Sequence, residues 1–106
     1  MGFAWLFSWW RRPTLAHWEV VFYTRRGCHL CEEAWELVQS EQRRYCFALS
    51  AIDIDSDPNL VSAYGTCVPV VMVNGRVRFR GQINRALWRR LLRAESSRRA
   101  GDAQRD

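Results

Sequence analysis

The stretch Trp18-Glu19-Val20-Val21-Phe22-Tyr23-Thr24-Arg25-Arg26-Gly27-Cys28-His29-Leu30-Cys31 decides how the chain is read. Trp18 to Tyr23 is a β-branched and aromatic run, so it reads as a buried strand, and Thr24-Arg25-Arg26-Gly27 stops it. Downstream, Cys31, Ala34, Trp35 and Val38 recur at helical spacing. Glu32, Glu33 and Glu36 crowd the first turns, where the helix dipole favours acids. The pattern predicts a helix from Cys28 to about Arg44. A thiol at such a helix start faces unsatisfied backbone N–H groups, which favour the thiolate and pull its pKa below about 8.5. The second thiol lies one turn further on the same side, within reach of a mixed disulfide formed on the first. Cys28 is then the nucleophile and Cys31 the resolving thiol. Half a zinc site and two inert buried thiols are the alternatives. Zinc would need two more ligands, and His17, His29, Cys46 and Cys67 contain no second close pair.

Working outward, Phe47, Leu49, Ala51 and Ile52-Asp53-Ile54-Asp55 predict a second strand that ends at Ser56-Asp57-Pro58. Asp57 as N-cap with Pro58 at the first helical position opens a short helix to about residue 64, closed by Gly65-Thr66-Cys67. Val68-Pro69-Val70-Val71-Met72-Val73 reads as a third strand, and Asn74-Gly75 as a two-residue turn. Arg76-Val77-Arg78-Phe79-Arg80 alternates as a fourth strand, antiparallel to the third. After Gly81, residues Ile83, Leu87, Trp88, Leu91 and Leu92 mark an amphipathic helix to about Glu95. The order β-α-β-α-β-β-α predicts an α/β fold with a four-stranded mixed sheet, its first two strands joined by a parallel crossover. Asp53-Ile54-Asp55-Ser56-Asp57 opens like a calcium loop but fails as one. Pro58 stands at the required glycine and Tyr64 at the closing glutamate. Asp53 and Asp55 are expected to emerge at the end of the strand instead.

The chain has 106 residues, which suits one domain. Four cysteines are too few for a disulfide scaffold at this length. All sixteen basic residues are arginine, and their distribution is uneven. Residues 1 to 75 hold six arginines and eight acids, a net of −2, whereas residues 76 to 99 hold nine arginines and one acid, a net of +8. Arg76, Arg78 and Arg80 are expected on one strand face, and Arg85, Arg89 and Arg93 on one helical stripe opposite Ile83, Leu87 and Leu91. The segment Arg76 to Arg93 is thus a candidate for weak contact with an anionic surface. It carries no motif that reads nucleic acid. The expected organisation is an apolar, aromatic N-terminal extension (1–16), one domain (17–95) and a disordered polar tail (96–106). Within the extension, Trp5, Trp9 and Trp10 precede Arg11 and Arg12, a pattern suited to packing on the domain or to peripheral membrane contact. No apolar run spans a bilayer and no secretory signal is visible, so the expected compartment is the cytoplasm.

The residues Phe22-Tyr23-Thr24-Arg25-Arg26-Gly27-Cys28-His29-Leu30-Cys31-Glu32-Glu33-Ala34, Ile52-Asp53-Ile54-Asp55, Val68-Pro69-Val70 and Gly81 resemble the glutaredoxin-like family of the thioredoxin-like superfamily, with a C-H-L-C active site. The resemblance implies a thioredoxin-like three-layer sandwich. It also implies a cis peptide at Pro69, opposite the cysteine pair, with the Val68 backbone turned to pair with a bound peptide or glutathione. Arg25 matches the position where glutaredoxins place a lysine for the glutathione carboxylate. Three places depart from glutaredoxins: His29-Leu30 replaces Pro-Tyr, Cys67-Val68-Pro69 replaces Thr-Val-Pro, and Gly81-Gln82-Ile83-Asn84 replaces Gly-Gly-x-Asp. Only part of the glutathione clamp is visible.

Together these readings predict a thiol–disulfide oxidoreductase in which Cys28 and Cys31 react, while Arg25, His29, Val68, Pro69 and Gly81 form the substrate site. The substrate is a disulfide-containing protein or glutathione. No bound cofactor or metal is expected, and glutathione is a candidate co-substrate. His29 either stabilises the Cys28 thiolate as imidazolium or is simply exposed. Cys67 is either a buried small side chain or a third redox thiol, and Cys46 is expected to be structural packing. The competing reading is a binding module of the same fold, holding an iron–sulfur or zinc site or docking on an anionic membrane surface, without turnover.

Overall fold

The computed structural model describes residues 15 to 105, so the aromatic extension and the membrane contact expected of it lie outside the described residues. The elements are β1 (Glu19–Thr24), α1 (His29–Tyr45), β2 (Ala48–Asp53), a 3-10 turn (Ile54–Ser56), α2 (Pro58–Tyr64), β3 (Val70–Val73), β4 (Arg76–Arg80) and α3 (Arg85–Arg105). The sheet order is β2-β1-β3-β4. β1 runs parallel to β2, as the intervening helix requires, and antiparallel to β3, which pairs antiparallel with β4 across the Asn74-Gly75 turn. Asn74 and Gly75 both take positive φ, the geometry a tight hairpin needs.

The two faces of the sheet are covered unequally. Val20 and Phe22 of β1 and Val71 and Val73 of β3 point to one face, where Ala34, Leu37 and Val38 of α1 and Trp88 and Leu92 of α3 pack on them. Trp88 sits edge-on to Phe47 and Phe79, ring centroids 6.2 and 5.8 Å away. Its indole Nε1 is buried and has no hydrogen-bond partner among the described residues. Burying side chains of this size supplies most of the driving force, roughly 1.5 to 3 kcal/mol each. Among the described residues, the opposite face receives only the seven-residue α2, whose Tyr64 ring lies 5.0 Å from the Tyr23 ring.

Local chemistry sets several boundaries. Asp57 caps α2 by accepting from the Asn59 N–H at 2.9 Å, with Pro58 in the first turn. β2 stops at Asp53, two residues short of the expected end. There the Asp53 carboxylate accepts from the Asp55 N–H and the Ser56 hydroxyl donates to the Asp53 carbonyl, which winds the chain. β3 begins after Pro69, which has no N–H to give a ladder.

Five expectations need correction. The domain does not start at residue 17, because Leu15 is fully buried in the core and its N–H donates to the Tyr45 carbonyl at 2.7 Å. The last helix does not stop near Glu95 to leave a tail from residue 96: it runs to Arg105. No proline interrupts residues 96 to 105, Ser96 is buried with its hydroxyl bonded to the Arg93 carbonyl, and extending a formed helix costs far less than starting one. Leu87 is not on the buried stripe of that helix but is exposed, since the stripe centres on Trp88 and Leu92. Arg76, Arg78 and Arg80 do not share one face. A bulge opposite Val71 and Met72 leaves Arg78 without a partner in the register, so that Phe79 turns to the Trp88 side while Val77 pairs with Met72 on the other. Cys46 is not packing: it is exposed and left-handed (φ 62°), ending α1 with its N–H on the Gln42 carbonyl. Glycine or asparagine usually takes that position.

Candidate active site

β1 delivers the chain to a turn, Arg25 to Gly27, where Gly27 takes φ +74°. Cys28 follows in extended conformation and is the N-cap of α1. Its Sγ accepts a hydrogen bond from the Cys31 N–H at 3.1 Å, so one of the orphan donors of the helix points at sulfur. Cys28 and Cys31 are joined as a disulfide, their Cα atoms 5.1 Å apart. The two sulfurs are placed differently. Cys31 is 1% exposed, sealed against the core, whereas Cys28 is partly open to solvent. Of the two sulfur-bearing residues, Cys28 is therefore the one open to an incoming group.

The other expected site residues gather at the same end of the sheet. Val70 pairs with Tyr23 near the end of β1, so the Val68-Pro69 peptide leaves the sheet where the Arg25 to Cys31 loop does. That peptide is cis, and Pro69 is fully buried. The Pro69 carbonyl accepts from the Gly81 N–H at 2.8 Å. Gly81 has φ +80°, which a side chain would strain. Its position lies 3.9 Å from the Cys67 carbonyl, measured to where a Cβ would stand. Cys67, Pro69 and Gly81 thus form one packed unit, in which Cys67 is a free, partly exposed thiol with its N–H on the Tyr64 carbonyl.

His29 is 81% exposed, its Nε2 lying 3.3 Å from Glu33 and its Nδ1 3.7 Å from Glu32. Arg25 is occupied. Its Nε and one terminal nitrogen bond both carboxylate oxygens of Asp55 at 3.1 and 3.0 Å, and the other terminal nitrogen reaches the Gly65 carbonyl at 3.3 Å. The guanidinium therefore staples the loop after β1 to the segments before and after α2. Sequence reasoning placed Arg25 in the site but missed Asp55 as its partner. The signal was present: strands one and two run parallel with Thr24 beside Asp53, which sets the residues following each side by side. Among the described residues, no group of three or more His, Cys, Asp or Glu stands close enough together to hold a metal ion.

A mixed four-stranded sheet with helices on both faces, and a Cys-x-x-Cys disulfide capping the helix after the first strand, define a thioredoxin-like protein. More narrowly, the model of the glutaredoxin-like domain (DUF836) matches residues 19–93, and the chain belongs to that family. It is similar to the solution structure of protein Ne2328 from Nitrosomonas europaea, at 30% identity and a TM-score of 0.57 over 63% of this chain and 81% of that one. It is also similar to the X-ray structure of protein XcR50 from X. campestris, at 32% identity and a TM-score of 0.58, covering 71% of this chain and 96% of that one. No curated protein matches the chain. Among the described residues, no helix is long and apolar enough to cross a membrane.

Proposed function

We propose that the protein is a thiol–disulfide oxidoreductase that reduces or exchanges disulfides of proteins. The observation that carries this reading is the asymmetry of the pair: Cys28 is open, caps a helix and accepts an N–H, while Cys31 is buried directly behind it. In the reduced protein the Cys28 thiolate attacks one sulfur of a substrate disulfide. An S–S bond forms between Cys28 and that sulfur, and the other leaves as a thiolate that takes up a proton. The Cys31 thiolate then attacks Cys28 Sγ, expels the second substrate thiolate and closes the Cys28–Cys31 bond. Two electrons pass to the substrate and the protein is left as the disulfide. An external dithiol, or two monothiols, returns it to the reduced form. A compartment that keeps thiols reduced, such as the cytoplasm, suits the reductive direction.

The cis Val68-Pro69 unit and Gly81 stand at the same end of the sheet, suited to hold the substrate backbone beside Cys28. Glutathione is the weaker candidate as co-substrate, because a glutathione carboxylate would have to displace Asp55 from Arg25. Two variants test the chemistry. Cys28→Ser is expected to lose turnover of a protein disulfide, and Cys31→Ser to accumulate a mixed disulfide visible by mass spectrometry. Full turnover by Cys28→Ser would overturn the assignment.

A further inference from the structure

We propose that the seam between α1 and α3 is the docking surface for the protein substrate, and that it selects an acidic segment carrying one apolar side chain next to the reacting cysteine. This rests on the disulfide-exchange reading above and adds the substrate class to it. A groove of about 100 Å³ opens between the first turns of α1 and the start of α3, walled by Leu30, Ala34, Leu37 and Ile83, with Gln82, Arg85 and Glu33 at its rim. That is below the roughly 300 to 1,000 Å³ of sites that enclose a small molecule, and it suits a single side chain presented by a larger partner. Leu30, between the two cysteines, is 47% exposed and forms part of the wall. Leu30 thereby extends the apolar lining of the groove formed with Ala34, Leu37 and Ile83 toward the cysteine pair.

From the rim the surface continues along α3. Ala86, adjoining Arg85, begins an open depression of about 560 Å³ also lined by Arg89, Arg90, Arg93, Ala94 and Ser97. Arg89 is committed to the buried Glu41 of α1 at 3.4 Å, which locks the two helices together. Among the described residues, Arg85, Arg90 and Arg93 have no ion-pair partner and are exposed. The small residues between them let a partner backbone come close enough for guanidinium forks to take carboxylates. Arg85 to Arg93 spans about 12 Å of helix, the length of about four residues of extended chain. On the α1 side of the rim, Glu33 is exposed and repels an acidic chain toward α3. An acidic segment is therefore guided along one side of the seam, with its apolar anchor beside Cys28.

The test uses two synthetic peptides with the same internal disulfide and a leucine beside the first cysteine, followed three residues on by four Glu in one and four Lys in the other. With dithiothreitol as reductant, kcat/KM is expected to favour the Glu peptide about tenfold at low salt. The preference should fade toward 1 M salt, where the screening length is about 3 Å. Arg90→Glu with Arg93→Glu should erase or invert it, and Arg76→Glu with Arg78→Glu, the same charge change away from the seam, should leave it intact. Because the readout is a ratio measured on one protein, a general loss of activity cancels. Turnover of both peptides without preference overturns the docking surface and leaves the disulfide chemistry standing. Turnover of neither overturns the chemistry on which it rests. An equal loss of preference in the β4 variant reduces the effect to net charge and overturns the assignment to the seam. If the α3 variant keeps the peptide ratio but no longer sediments with phosphatidylserine vesicles, the arginines serve a lipid surface and the proposal fails.

Discussion

Helices α1 and α3 lie on the same face of the sheet, start at the same end and run the same way, yet their sequences are opposites. α1 opens with a cysteine cap and Glu32 in its first turn, and the Cys28–Cys31 disulfide sits at its start. α3 has no acid in its first turn, is capped by the Asn84 side chain accepting from the Leu87 N–H, and spreads arginines down its length. Chemistry needs atoms held to fractions of an ångström, and a helix terminus supplies that through its orphan N–H groups. Recognition by charge tolerates distance and gains from repetition. The contrast is that one packed layer presents two different surfaces at its two helices: an orphan N–H group aimed at a sulfur on α1, and a row of exposed guanidinium groups on α3.

The comparison can be broken at four places. The largest expected effect is on turnover: Cys28→Ser should lower kcat/KM for a protein disulfide by a factor on the order of 10³ or more, whereas no single arginine of α3 should cost more than about tenfold. If an α3 arginine matched Cys28 in that assay, the division of labour would be wrong. Next, Trp88→Ala should destabilise the fold by about 3 to 5 kcal/mol in urea unfolding. Trp88→Phe should cost clearly less, because it leaves a much smaller cavity while removing the same unpartnered indole N–H. Smaller again, Arg89→Ala should cost about 1 kcal/mol, since it leaves Glu41 buried without its cation while Arg89 itself is half exposed. A double variant with Glu41→Gln should recover part of that loss. The smallest effect lies outside both helices. Asp55→Asn frees Arg25 and should lower KM for glutathione by about two- to fivefold, the worth of one exposed ion pair. An unchanged KM would mean that Arg25 takes no part in glutathione binding even when released.

What the sequence disclosed followed from local signals. Asp57-Pro58, Asn74-Gly75 and the cysteine at a strand-to-helix junction each fix the backbone through their own atoms, so the element order and the place of the cysteine pair were legible. The misses depended on contacts distant in sequence. The burial of Leu15 is decided by Tyr45 and the core, and the exposure of Leu87 by which neighbouring stripe Trp88 claims. The bulge at Arg78 breaks an alternation that is strict in the residues themselves, because the register belongs to the pair of strands. The pairing of Arg25 with Asp55 crosses thirty positions and exists only because two strands run parallel.

Leu15 also fixes a direction of mounting. Its backbone is tied to Tyr45 at the far end of α1, and that 17-residue helix sets Cys28 about 25 Å away. A linker joined directly at Leu15 leaves the molecule at the pole remote from its disulfide. Immobilised in that way, the protein would offer its reactive end to the solution, and surface-based kinetics could be run without the support crowding the exchange.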